Sequence, residues 1–103
     1  MEIKVTKPAI NWFKQEFSEA EEPVPIRFYG RYGGCGSLQS GFSLGMSQTE
    51  PTEPAVVYEE GGFLFFIEEQ DSWYFKDQLV RVKYSRKKDE IEFEYEQQAN
   101  REL

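Results

Sequence analysis

FYGRYGGCGSLQSGFSL, residues 28–44, packs four glycines (Gly30, Gly33, Gly34, Gly36) into seven residues around the one cysteine of the chain, Cys35. Phe42, Leu44 and Met46 then alternate with Ser43, Gly45 and Ser47, the pattern of a half-buried strand at period two. Upstream, Ile26 to Tyr29 reads as another strand, so the stretch predicts strand, glycine-rich loop over Gly30–Gly41, strand. Glycine permits positive φ and lets backbone N–H groups approach an anion or a metal–sulfur unit closely. A thiolate is the soft ligand that zinc, copper(I) or an iron–sulfur cluster selects. On these residues alone Cys35 stands open to three readings: a small structural residue in a tight turn, a metal or cluster ligand, or a redox or covalent thiol. The spacing is neither GxGxxG nor GxxxxGK[ST], which sets aside dinucleotide and P-loop chemistry. Arg27 and Arg31 are near enough in sequence to lower a thiol pKa or bind a sulfur-bearing anion; solvated surface arginines are the plainer reading. Tyr29 and Tyr32 either shield a site or pack.

Working outward, Ile3 and Val5 predict a short first strand. Thr6 is placed to cap a helix with Pro8 in its first turn. Ile10, Phe13 and Phe17 give that helix one apolar face over residues 7–18, with Trp12 at its edge. The acidic run Glu19, Glu21, Glu22, with Pro23 and Pro25, ends it. Ala55–Tyr58 and Phe63–Ile67, joined through Gly61 and Gly62, predict a hairpin. Asp71 is placed to cap a helical turn through Ser72, Trp73, Tyr74 and Phe75. Leu79–Ser85 and Ile91–Glu96 are two further strands around the turn RKKDE. Val80, Val82 and Tyr84 share a face, as do Ile91, Phe93 and Tyr95, and Arg81 and Lys83 are set to pair with Glu92, Glu94 and Glu96. The whole predicts a mainly β (α+β) fold: antiparallel twisted strands in a small barrel or sandwich, an N-terminal helix and a short second helix. One domain over residues 1–96 is expected, with 97–103 a flexible tail.

The chain has 103 residues, hydrophobic content of 39% with nine Phe, and a formal net charge of −7. That suffices for one compact core and argues against nucleic-acid or anionic-membrane surfaces. With no His, there is no imidazole base or ligand. One cysteine excludes an internal disulfide, and no signal peptide or membrane span is seen, so a cytoplasmic protein is expected. Glu59, Glu60, Glu68, Glu69 and Asp71 could gather round a hard cation, though charges flanking a hairpin are usually solvated faces. No carboxylate pair has acid/base spacing; an enzyme would have to use Cys35, and a non-enzymatic protein is expected.

The order strand, helix, strand, GGCGSLQSGFSL and alternating strand resembles the A-type iron–sulfur carrier (HesB-like) family over almost the whole chain, in the form of its short branch from low-GC Gram-positive bacteria. The resemblance implies that Cys35 is the first ligand position, held in a loop of Gly33, Gly34 and Gly36, and that iron or an iron–sulfur cluster is the cofactor. The carriers carry a C-terminal Cys-Gly-Cys; here QQANREL follows Tyr95 and Glu96 without sulfur. The remaining ligands would therefore come from a second subunit of a homodimer or from an iron–sulfur client or assembly protein. A domain that kept the carrier fold for protein interaction, with no cofactor, is the alternative, and Trp73, Tyr74 and Phe75 are its candidate surface.

Overall fold

The computed structural model describes residues 1–17, 22–33 and 41–97. Gly34, Cys35 and Gly36, the acids Glu19 and Glu21, and residues 98–103 of the expected tail lie outside the described residues.

Strand β1 (Glu2–Val5) leads into helix α1 (Lys7–Glu16), capped as expected: the Ala9 N–H donates to the Thr6 hydroxyl at 3.4 Å. Its stripe buries Ala9, Ile10 and Phe13, while Phe17 is partly buried and Trp12 stacks edge-on against Phe13 at 5.1 Å. Strands β2 (Val24–Tyr32), β3 (Phe42–Ser47), β4 (Pro54–Glu60) and β5 (Phe63–Glu68) follow, with the predicted hairpin turning at Gly61 and Gly62. A single 3-10 turn (Glu69–Asp71) runs into the short helix α2 (Ser72–Phe75), and β6 (Gln78–Ser85) and β7 (Glu90–Gln97) close the described chain.

The strands form two sheets, β1-β6-β7 and β3-β2-β5-β4. Two of the five pairings, β1 with β6 and β2 with β5, are parallel, where the sequence suggested antiparallel neighbours. Parallel partners are brought together by long crossovers rather than local turns, so no local pattern announces them. The sheets face one another through alternating residues. Ile3, Val5, Val80 and Val82 of one and Val24, Ile26, Phe28, Phe63, Phe65 and Ile67 of the other share a single buried cluster, with Phe13 of α1 wedged against Phe65 at 5.0 Å. Phe28 joins the sheets, stacking on Phe65 at 5.8 Å and meeting Phe93 of β7 at 5.9 Å. Each such fully buried aromatic contributes about 1.5–3 kcal/mol of transfer free energy.

β2 is longer than expected, running three residues past Tyr29 because Gly30, Arg31 and Tyr32 continue the ladder opposite Leu44, Ser43 and Phe42. Pro25 is tolerated within it because β3 pairing starts only at Arg27, leaving β5 as its one neighbour there. On the outer face of β6 and β7, Arg81 meets Glu96 at 3.3 Å and Lys83 meets Glu94 at 3.1 Å. These exposed pairs fix register more than they stabilise. Gln97 belongs to β7, its side-chain oxygen accepting from the Gln78 amide at 2.9 Å.

Candidate functional site

The described residues on either side of the stretch 34–40, which carries the thiol, form a hairpin neck. Past Tyr32, the Gly33 N–H donates to the Gly41 carbonyl at 2.6 Å. Gly33 has φ +101° and Gly41 φ +85°, and among the described residues nothing would touch a Cβ at either. The positive φ at both positions favours glycine through backbone conformation. Of the residues expected to form the loop site, Gly33 is placed at this neck; Gly34, Cys35 and Gly36 belong to the stretch 34–40 that it closes off.

Gly30 has a different role. A Cβ there would lie 2.7–2.9 Å from Cγ, Cδ1 and Cβ of Tyr74, so this residue, expected in the loop, is a strand position left bare for the Tyr74 ring. Its partner helix α2 splits in two: Tyr74 and Phe75 are fully buried, whereas Trp73 is 47% exposed. Trp73 stands edge-on to Phe42 at 5.0 Å, and Phe42 edge-on to Tyr32, itself 84% exposed, at 5.5 Å. Three aromatics from β2, β3 and α2 therefore rim the neck. The sequence pointed to Trp73 in this role but treated Tyr32 as a shield and Phe42 only as a strand residue; their pairing across the ladder was the available signal.

Arg27 is committed elsewhere than to a thiol. Its Nε and Nη2 both donate to Asp71 Oδ2, at 3.0 and 2.7 Å, and its guanidinium lies 4.9 Å over the Tyr29 ring. Asp71 consequently makes no side-chain cap for α2; a guanidinium is the stronger partner for a carboxylate than a helix N–H. Three residues before Asp71, at the end of β5, Glu68 is only 4% exposed. Thr52 donates to its Oε2 through N–H (2.9 Å) and hydroxyl (3.0 Å), and the Glu53 N–H to its Oε1 at 2.8 Å. Burial alone would push this carboxyl up; the Thr52 and Glu53 donors, with the Arg27 charge, outweigh it and hold the pKa below the ordinary value. Glu68 and Asp71, two of the acids suggested for a cation, thus point to separate partners, and among the described residues no group of three or more acidic or sulfur side chains converges on a metal position. The Tyr74 hydroxyl is buried without a hydrogen bond of ordinary geometry. The Tyr95 phenol is the group it interacts with, and burial pushes both phenols up, so both stay neutral.

The fold of this chain is shared by two solved structures. Escherichia coli SufA, involved in biosynthesis of iron–sulfur clusters, superposes with a TM-score of 0.63 at 18% identity, covering 99% of this chain and 86% of its own. IscA with a 2Fe–2S cluster superposes at 0.56 and 12% identity, covering 92% and 81%. In sequence, residues 1–102 match the iron–sulphur cluster biosynthesis family. The chain belongs to that family, as its resemblance to the A-type carriers implied. A Bacillus subtilis protein named pyruvate dehydrogenase inhibitor is 44% identical over 96 residues, 93% of this chain and 100% of the relative. No described helix is long and apolar enough to cross a membrane.

Proposed function

We propose that the protein acts by binding another protein, and that this partner is a pyruvate dehydrogenase whose activity it lowers. The observation that carries the reading is the full-length relative bearing that name, 44% identical over 96 residues. Chemistry supports it: with one cysteine and no histidine, a single chain cannot supply the four soft ligands of a cluster, so the residues present do not fit a resident iron–sulfur cofactor. What the fold offers instead is a neck rimmed by exposed Tyr32 and Trp73; aromatics of this kind are enriched at protein interfaces. The test is NADH formation by a purified pyruvate dehydrogenase complex with increasing amounts of the protein. Dose-dependent loss of rate is expected, and an unchanged rate at large molar excess would discard the reading.

A second reading keeps the metal. Iron or a cluster would be held by Cys35 with ligands from a second subunit or from a client, as cargo shared across an interface. It is favoured by the family and by the 2Fe–2S cluster of the IscA neighbour. Anaerobic addition of iron and sulfide to wild type and Cys35→Ser decides it: Cys35-dependent stoichiometric uptake is expected, and equal uptake by both chains counts against it.

A further inference from the structure

Each sheet edge presents backbone groups that another strand could capture, and natural proteins blunt such edges with charge, proline, bulges or short length. Three of the four edges here are blunted. β1 is only four residues long. β4 carries Pro54, Glu59 and Glu60 and a register shift between Pro54 and Val56. β7 bears Glu90, Glu92, Glu94 and Glu96. The fourth, β3, reads FSLGMS: six residues with no charge and no proline, paired in unbroken register with β2 alone.

The neck fixes which groups are free. Gly33 and Gly41 are a hydrogen-bonded pair, and their register continues through Arg31–Ser43, Tyr29–Gly45 and Arg27–Ser47. Hydrogen-bonded and non-hydrogen-bonded pairs alternate along an antiparallel ladder. The intervening pairs place the N–H and C=O of Phe42, Leu44 and Met46 outward, away from β2. Among the described residues no backbone partner takes them. Their side chains pack on the core, so the free row is pure main chain, and exposed Tyr32 and Trp73 flank its first residue.

We infer that the β3 edge is a docking site for an extended segment of a partner protein, which adds as a fifth strand to the β3-β2-β5-β4 sheet. This rests on the partner-binding reading and names its surface and mode. Main-chain hydrogen bonds supply the affinity of such additions, and side chains at alternate positions the specificity. The occupant is uncharged where it pairs, matching FSLGMS, and basic at its flanks, because a chain of net charge −7 attracts basic segments and repels a second copy of itself.

Amide exchange followed by NMR on the full chain tests this, with the synthetic peptide Lys-Val-Thr-Val-Thr-Val-Lys at millimolar concentration as probe; its β-branched residues favour extension. In the free protein Phe42, Leu44 and Met46 should exchange faster than Ser43, Gly45 and Ser47. The peptide should slow those three by about tenfold or more, and the peptide N-methylated at its pairing amides should not. No alternation in the free protein, no slowing by the peptide, or equal slowing by the methylated peptide would each overturn the proposal. So would protection that rises with the concentration of the protein alone, which assigns the edge to a second copy. Pyruvate dehydrogenase inhibition is read separately, so a chain that inhibits without such protection loses the edge and keeps the partner.

Discussion

Arg27 of β2 and Asp71 of the turn before α2, 44 residues apart, meet through two donors on a single carboxylate oxygen, the nearer at 2.7 Å. The contact ties the turn that leads into α2 to the middle of the four-stranded sheet, and α2 in turn presents Trp73 at the hairpin neck. Replacing Asp71 with Ala leaves a largely buried guanidinium without its anion. Charge-assisted hydrogen bonds contribute about 1.5–3 kcal/mol, and a loss of that order is expected in urea unfolding. Trp73 fluorescence should shift in the folded variant if α2 loosens; an unshifted spectrum would mean the helix is held by packing alone.

Glu68 makes stability depend on pH in one direction. Its folded pKa lies below the ordinary value of 4.5, so its contribution is complete above about pH 4.5 and disappears as pH falls through the folded value. Unfolding midpoints in urea from pH 6 to pH 3 should fall more steeply for wild type than for Glu68→Gln. At pH 6 the variant should already be weaker by about 1–3 kcal/mol, since an amide nitrogen must face a backbone donor. Parallel curves would remove Glu68 from the acid transition.

Gly30→Ala should destabilise by about 1–3 kcal/mol, the usual cost of overpacking, because the new methyl lies within 3 Å of the Tyr74 ring. Combined with Tyr74→Ala, its added cost should largely vanish, a coupling that a double-mutant cycle reads directly. Simple additivity would show that the ring does not set the need for glycine.

Tyr74→Phe deletes a buried hydroxyl that lacks a normal hydrogen bond. Thermal unfolding should be unchanged or raised, because the hydroxyl's contact with the Tyr95 phenol falls short of a well-formed hydrogen bond and a poorly paired buried polar group costs more than it contributes. A marked drop in Tm would mean that the hydroxyl finds a partner in solution.

Much of this fold was legible locally. The Ile10–Phe13 stripe, the Gly61–Gly62 hairpin and the paired alternations of Val80–Val82 with Phe93–Tyr95 each signal themselves within a dozen or so residues, and each is present. What escaped depends on distant chain. The parallel ladders join strands far apart in sequence, β1 with β6 and β2 with β5, and Gly30 reads as a loop glycine until the ring of Tyr74, 44 residues on, is laid against it. The site divides similarly. Arg27 and Asp71 were each singled out, one as a thiol neighbour and one as a helix cap, and only tertiary contact shows that they satisfy each other. Glu68 looked like a member of an acidic cluster because composition cannot distinguish an exposed carboxylate from one held by backbone donors.

The bond between Gly33 and Gly41 has an evolutionary consequence. It is the last described rung of the β2–β3 hairpin, so the pairing of the described sheet is complete without residues 34–40. Lengthening such an insert costs little, only about 0.6 kcal/mol for each doubling of loop length. A lineage can therefore rewrite, enlarge or strip the chemistry carried between these two glycines while inheriting the scaffold unchanged, so that descent and occupation come apart at this one hydrogen bond.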